Sequence, residues 1–83
     1  MVKTKEVLCY TNSISKFLED LKKWNVYVED YNNGCVIFEL QSNNTIYKIV
    51  LYNYQVATLP LIYVTSFEDL QMKILGKVIW NWK

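Results

Sequence analysis

The chain has no histidine and no arginine; its nine basic residues are all lysine, set against eight carboxylates for a net charge of +1. Without His, nucleophilic catalysis loses its commonest general base and a metal centre its commonest ligand. Without Arg there is no bidentate fork for phosphate or base edges, and a near-neutral chain has little field to draw in nucleic acid. Glycine occurs only at Gly34 and Gly76, too few for a phosphate-cradling loop. Apolar runs such as Ile49-Val50-Leu51-Tyr52 fall far short of the ~20 residues that span a bilayer. The opening Met1-Val2-Lys3-Thr4-Lys5-Glu6 leads into a short strand-like run, so neither a secretory leader nor a membrane span is expected, and the expected location is cytoplasmic.

Two cysteines, Cys9 and Cys35, sit in apolar strand contexts. One disulfide and two buried thiols are both open, and the thiols are favoured because Cys packs there as a small hydrophobe. Neither Cys has an electropositive sequence context that would activate it. The adjacent carboxylates Glu29-Asp30 and Glu68-Asp69 point apart on a strand or helix, and no Cys pair or acidic loop has ligand spacing. The expectation is a protein that is not an enzyme, with no catalytic residue, no metal and no cofactor.

Apolar residues make up 52% of the 83 and charged residues 20%, enough for one folded domain over 1–83. A chain this short buries only somewhat over ~60% of its unfolded surface, so a partner subunit would add to a thin stability margin. Val7-Leu8-Cys9-Tyr10 reads as a first strand, and Thr11-Asn12-Ser13 as a cluster of capping residues. Positions 14, 17, 18, 21 and 24 then form one apolar stripe at helical period, predicting a helix over 14–24 with a stop at Asn25.

From Val26 to Tyr54 the chain reads as a three-strand meander turning at Asn32-Asn33-Gly34 and at Gln41-Ser42-Asn43-Asn44. Val26 and Val28, then Val36, Phe38 and Leu40, then Tyr47, Ile49 and Leu51 fall on the face expected to meet the helices. The fourth strand is apolar on both faces, which suits a central place or an interface. A loop over 53–59 and Pro60 put any fifth strand, Leu61-Ile62-Tyr63-Val64, near an edge. Thr65/Glu68 and Ser66/Asp69 both have capping-box spacing. Phe67, Leu70, Ile74, Leu75, Val78 and Trp82 predict a last helix running to Trp82, with Gly76 a weak point inside it and Gln71 an unexplained polar break in its stripe.

The fold expected is α+β and two-layered. It has a mostly antiparallel sheet of four or five strands, both helices on one face, and the order β-α-β-β-β-(β)-α. A right-handed crossover through the first helix would make the first and second strands parallel neighbours.

The remaining signal is aromatic: seven Tyr and three Trp. Alternation places Tyr27, Tyr31, Tyr52 and Tyr54 outside the helix-facing side, and helical angle places Trp80 opposite Val78, beside Gly76 and Lys73. Tyr and Trp combine large contact area with a polar tip, so these residues and Lys73 are the candidate partner-binding set. The competing reading is a slipped register with the rings in the core. Two functions stay open. One is a protein-interaction module binding a partner protein or itself, with a homodimer expected; the other, weaker, is a single-strand nucleic-acid binder stacking bases on the Tyr face with Lys48 on phosphate.

In size, in its Asn, Tyr, Ile and Lys richness, and in an αβββα core from Ile14 to Trp82, the chain resembles small accessory proteins of archaeal or bacterial viruses, anti-CRISPR inhibitors among them. The resemblance is one of architecture and composition, with no motif to carry over. It implies a stoichiometric binder of a host protein, acting in the host cytoplasm.

Overall fold

The structure, a computed structural model, describes residues 2–32, 34–56 and 58–82. Its elements are β1 (Lys3–Thr11), α1 (Ile14–Lys23), β2 (Val28–Asn32), β3 (Cys35–Ser42), β4 (Thr45–Asn53), β5 (Ile62–Tyr63) and α2 (Phe67–Leu75). They form an α+β fold: one five-stranded sheet in the order β2-β3-β4-β1-β5, with both helices packed against the same face. The expected class and layering are thus observed.

Local chemistry explains most of the boundaries. Asn43 and Asn44 both take positive φ, 53° and 64°, which is what a two-residue turn between twisted antiparallel strands requires, and Asn adopts it at less cost than most residues. α1 begins after Ser13, but the Ser13 side chain does not cap it; the Thr11 hydroxyl instead accepts the Ser13 N–H at 3.3 Å. At its other end Asn25 turns left-handed at φ 61°, and the Val26 and Asn25 amides donate back to the Leu21 and Lys22 carbonyls. α2 starts at Ser66, whose hydroxyl accepts the Asp69 N–H, while the Asp69 carboxylate accepts the amide of Thr65.

Three expectations are corrected. The parallel partner of β1 is β4, not β2: Lys3 aligns with Thr45 and Thr11 with Asn53, and β5 adds a second parallel pairing at Cys9 and Tyr10. The sheet is therefore mixed, with β4 in the middle, one of the two places expected for a strand apolar on both sides. Second, α2 ends at Leu75 instead of running to Trp82. Gly76 adopts φ 74° and terminates the helix, so it is a stop residue, not a mid-helix weakness. Third, Gln71 is fully buried because it serves the segment after that stop: its Oε1 accepts the Ile79 N–H at 2.7 Å and ties the returning segment to the helix. That segment then runs beside the end of α1, with Trp82 N–H donating to the Trp24 carbonyl and Asn25 Nδ2 to Asn81 Oδ1. Trp82 is buried, as the stripe required, but by a tail and not by a helix.

The core lies between the sheet and the helices. Phe67 is its hub, fully buried with its ring centroid 4.9 Å from Trp24, 6.0 Å from Phe38 and 6.2 Å from Phe17. Val36, Phe38 and Leu40 of β3 and Ile49 and Leu51 of β4 join it on the parity expected from alternation, and Val7 and Cys9 of β1 join it from the neighbouring strand.

Candidate functional site

Because α1 and α2 pack against one side only, the other parity of β1, β3, β4 and β5 has no helix over it among the described residues. Register reads off which side chains stand there. Tyr63, Tyr10, Tyr52 and Cys35 form one row across four strands; Leu8, Val50 and Ile37 form the next; Glu6, Lys48 and Glu39 the third. The Tyr10 and Tyr63 rings lie 5.0 Å apart, tilted by 40°. Leu8, Tyr10, Ile37 and Tyr52 are half-buried, and Val50 is only 9% exposed although it is not part of the core cluster. This side therefore holds a small, partly shielded apolar patch bordered by tyrosines on one side and by Glu6, Lys48 and Glu39 on the other.

The sequence-derived candidates do not come together. Tyr52 stands on the uncovered face. Tyr27 precedes β2 and is 80% exposed, whereas a register shift at Glu29 sets Tyr31 opposite Val36, on the helix-side parity at an open edge. Tyr54 follows β4, 61% exposed and at φ 78°, a left-handed conformation that costs a non-glycine residue about 1 kcal/mol or more. Trp80 is 62% exposed, but its ring packs 4.7 Å from that of Trp24, so it belongs to the returning tail. Alternation and helical angle thus give exposure at these positions but not a single surface. Tyr10, Tyr63, Leu8, Val50 and Ile37 were missed; Val50 and Ile37 follow from alternation in β3 and β4, whereas Leu8, Tyr10 and Tyr63 join them only through the parallel pairings of β1 with β4 and β5, which local pattern does not carry.

Lys73 has a local job. Its Nζ donates to the Tyr63 carbonyl at 2.6 Å, pairs with Asp69 at 3.1 Å and sits 5.8 Å from the Tyr63 ring centroid, clipping α2 to β5. Partial burial pushes the Asp69 carboxyl up, but the Thr65 amide and the Lys73 ammonium together outweigh it and hold Asp69 below its ordinary value. The two thiols are free and stand on opposite faces. Burial pushes Cys9 up to about 11, beyond what nearby Lys73 can offset, and burial with the Asp30 charge raises Cys35 as well. Both are protonated near neutral pH and are poor nucleophiles. A cleft of about 520 Å³ at the start of β2, lined by Tyr27, Glu29, Glu39, Gln41 and Trp82 among others, adds acidic rather than basic character to the surface.

Charge on the uncovered face discriminates between partners. Glu6, Glu39 and Asp30 share it with Lys48 alone, and Lys48 lies between two of those carboxylates. A polyanion would meet net repulsion there. Comparison with known protein families, curated proteins and solved structures returns no match to this chain.

Proposed function

We propose that the protein is a non-catalytic protein-interaction module that docks through the uncovered sheet face. The observation that carries this reading is the patch of Leu8, Val50 and Ile37 beside the row Tyr63–Tyr10–Tyr52, on the face that carries neither helix. An aliphatic row flanked by tyrosines on one side and charged residues on the other has the anatomy of a protein interface, an apolar middle with polar rims. A second copy and a host protein both fit such a surface. The likeness to small viral inhibitors favours the host protein, and a thin stability margin favours the copy.

The test is a Tyr10→Thr/Tyr52→Thr double variant, which keeps residues suited to strands. Light scattering across a concentration series and capture of host proteins on immobilised chain are compared with wild type, with circular dichroism as the fold control. Association lost with the fold intact is the expected result. Association equal in the two proteins removes this face from the function. Base stacking on the same tyrosines is the second reading, and a labelled oligo-dT that binds wild type at low salt but not the double variant would replace the first by it.

A further inference from the structure

The far edge of β1 is open for most of its length. β1 pairs with β4 at all nine positions, but β5 meets it only at Cys9 and Tyr10, so from Lys3 to Val7 that side has no strand among the described residues. The direction of the backbone groups is fixed by the ladders. Lys3 N–H donates to Asn44 and the Thr11 carbonyl accepts from Tyr54, both on the β4 side, whereas the Tyr10 carbonyl accepts from Val64 on the β5 side. In a parallel pairing each residue turns both groups the same way, so Thr4 and Glu6 aim N–H and C=O at the open side. Pro60 borders this edge and has no N–H to give, so the chain's own connector cannot prolong β5 along it. Between the edge and α2 lies a cleft of about 380 Å³, bounded by Lys5, Glu6, Val7, Leu8, Lys73 and Ile74 among others.

We propose that this edge takes up an extended segment of a partner protein as an added strand, with apolar and acidic side chains alternating along the side that faces the cleft. Unpaired backbone donors and acceptors at strand spacing call for another strand, and the cleft gives alternate side chains a place to go. A second copy of this chain does not fit. Antiparallel pairing about a two-fold axis must match even-numbered residues with even-numbered ones. On the free stretch that leaves centres at Thr4, Lys5 or Glu6, which set Lys3 against Lys5, Lys5 against Lys5, or Glu6 against Glu6 of the copy. Each puts like charges directly opposite. On the cleft side Val7 and Ile74 provide apolar contact; Lys73 is paired with Asp69, and Glu6 borders the cleft from the other face of the strand, which leaves Lys5, with Lys3 on the same parity, as the cations along this side, so an apolar residue followed two positions later by a carboxylate is the complementary pattern. This edge adjoins the uncovered face and shares Glu6 and Leu8 with it, but the binding groups are backbone donors and acceptors in the plane of the sheet, so the proposal does not rest on docking to that face.

The probe is a phage-displayed library of random dodecapeptides panned on the full chain, followed by a synthetic copy of the most enriched peptide. Enrichment of alternating apolar and acidic residues is expected, with Thr4 and Glu6 amides gaining protection from hydrogen exchange when the synthetic peptide is bound. Glu6→Pro removes one edge donor at a position where proline is tolerated and should weaken binding about tenfold or more. If that variant does not fold, Lys5→Glu serves instead and should shift the preference from acidic to basic peptides. The proposal is overturned if no peptide is enriched, or if Thr4 and Glu6 stay unprotected. It is equally overturned if the peptide binds the Pro or Glu variant as it binds wild type, or if Tyr10→Thr/Tyr52→Thr abolishes binding while Glu6→Pro does not.

Discussion

Strands β1, β3 and β4 show two faces made of similar residues. On the covered one Cys9, Val36, Phe38, Leu40, Ile49 and Leu51 are excluded from water by two helices. On the other Leu8, Tyr10, Ile37 and Tyr52 are shielded only in part. β4 makes the contrast within a few residues: Ile49 and Leu51 lie in the core, and Val50 and Tyr52 look the other way. Hydrophobic content therefore does not settle which side of this sheet becomes the core; the placement of the two amphipathic helices does. A fold that uses one of two apolar faces leaves the second for something else.

The contrast between the faces is tested hardest on the helix-covered side. Phe67→Ala should cost about 3–5 kcal/mol, a large part of the roughly 5–15 kcal/mol that holds a typical domain, and denaturant titration should show a largely unfolded or strongly destabilised chain. Gln71→Leu leaves the Ile79 N–H without its acceptor, a loss of about 1–3 kcal/mol. Its tail should loosen ahead of global unfolding, seen as a change in tryptophan fluorescence. The thiols report the two faces separately. A disulfide reagent on the native protein should modify half-buried Cys35 well before Cys9. Because Cys9 is raised from 9.0 to about 11 in the fold, the stabilisation from keeping it neutral is complete below pH 9 and is lost as pH climbs towards 11. A Cys9→Ala variant should lose less stability over that interval than wild type. Smallest of all, Tyr52→Thr should change stability by no more than about 0.5 kcal/mol, since nothing but neighbours on an open face is disturbed. A loss like that of Phe67→Ala would mean that the second face is structural after all.

Much of the fold is legible in the residues because its signals are local. Alternation in β3 and β4 has period two, α1 has a single clean stripe, and Asn43-Asn44 and Ser66/Asp69 state their turn and cap directly. Expectation and structure part where a local pattern meets a non-local fact. The stripe after Leu75 continues at helical period, yet Gly76 in the left-handed region ends the helix and Gln71 holds the returning tail. Exposure of Tyr27, Tyr31, Tyr54 and Trp80 is legible; their scatter over the surface is not, because it depends on the shift at Glu29 and on that tail. Tyr10 and Tyr63 become neighbours of Tyr52 only through the two parallel pairings of β1, which leave no trace in spacing.

Those parallel pairings also set the order in which the molecule can come together. The β3–β4 hairpin needs only its two asparagines, but β1 must find a partner about forty residues further along the chain, across a helix and two strands. Until it arrives, the backbone margin of β4 that will pair with β1 is bare, ready to zip onto a stranger. A nascent chain of this protein is thus most vulnerable to clumping after β4 has been made and before β1 has slotted in, and agents that slow that late insertion should lower the yield of folded material more than they lower its final stability.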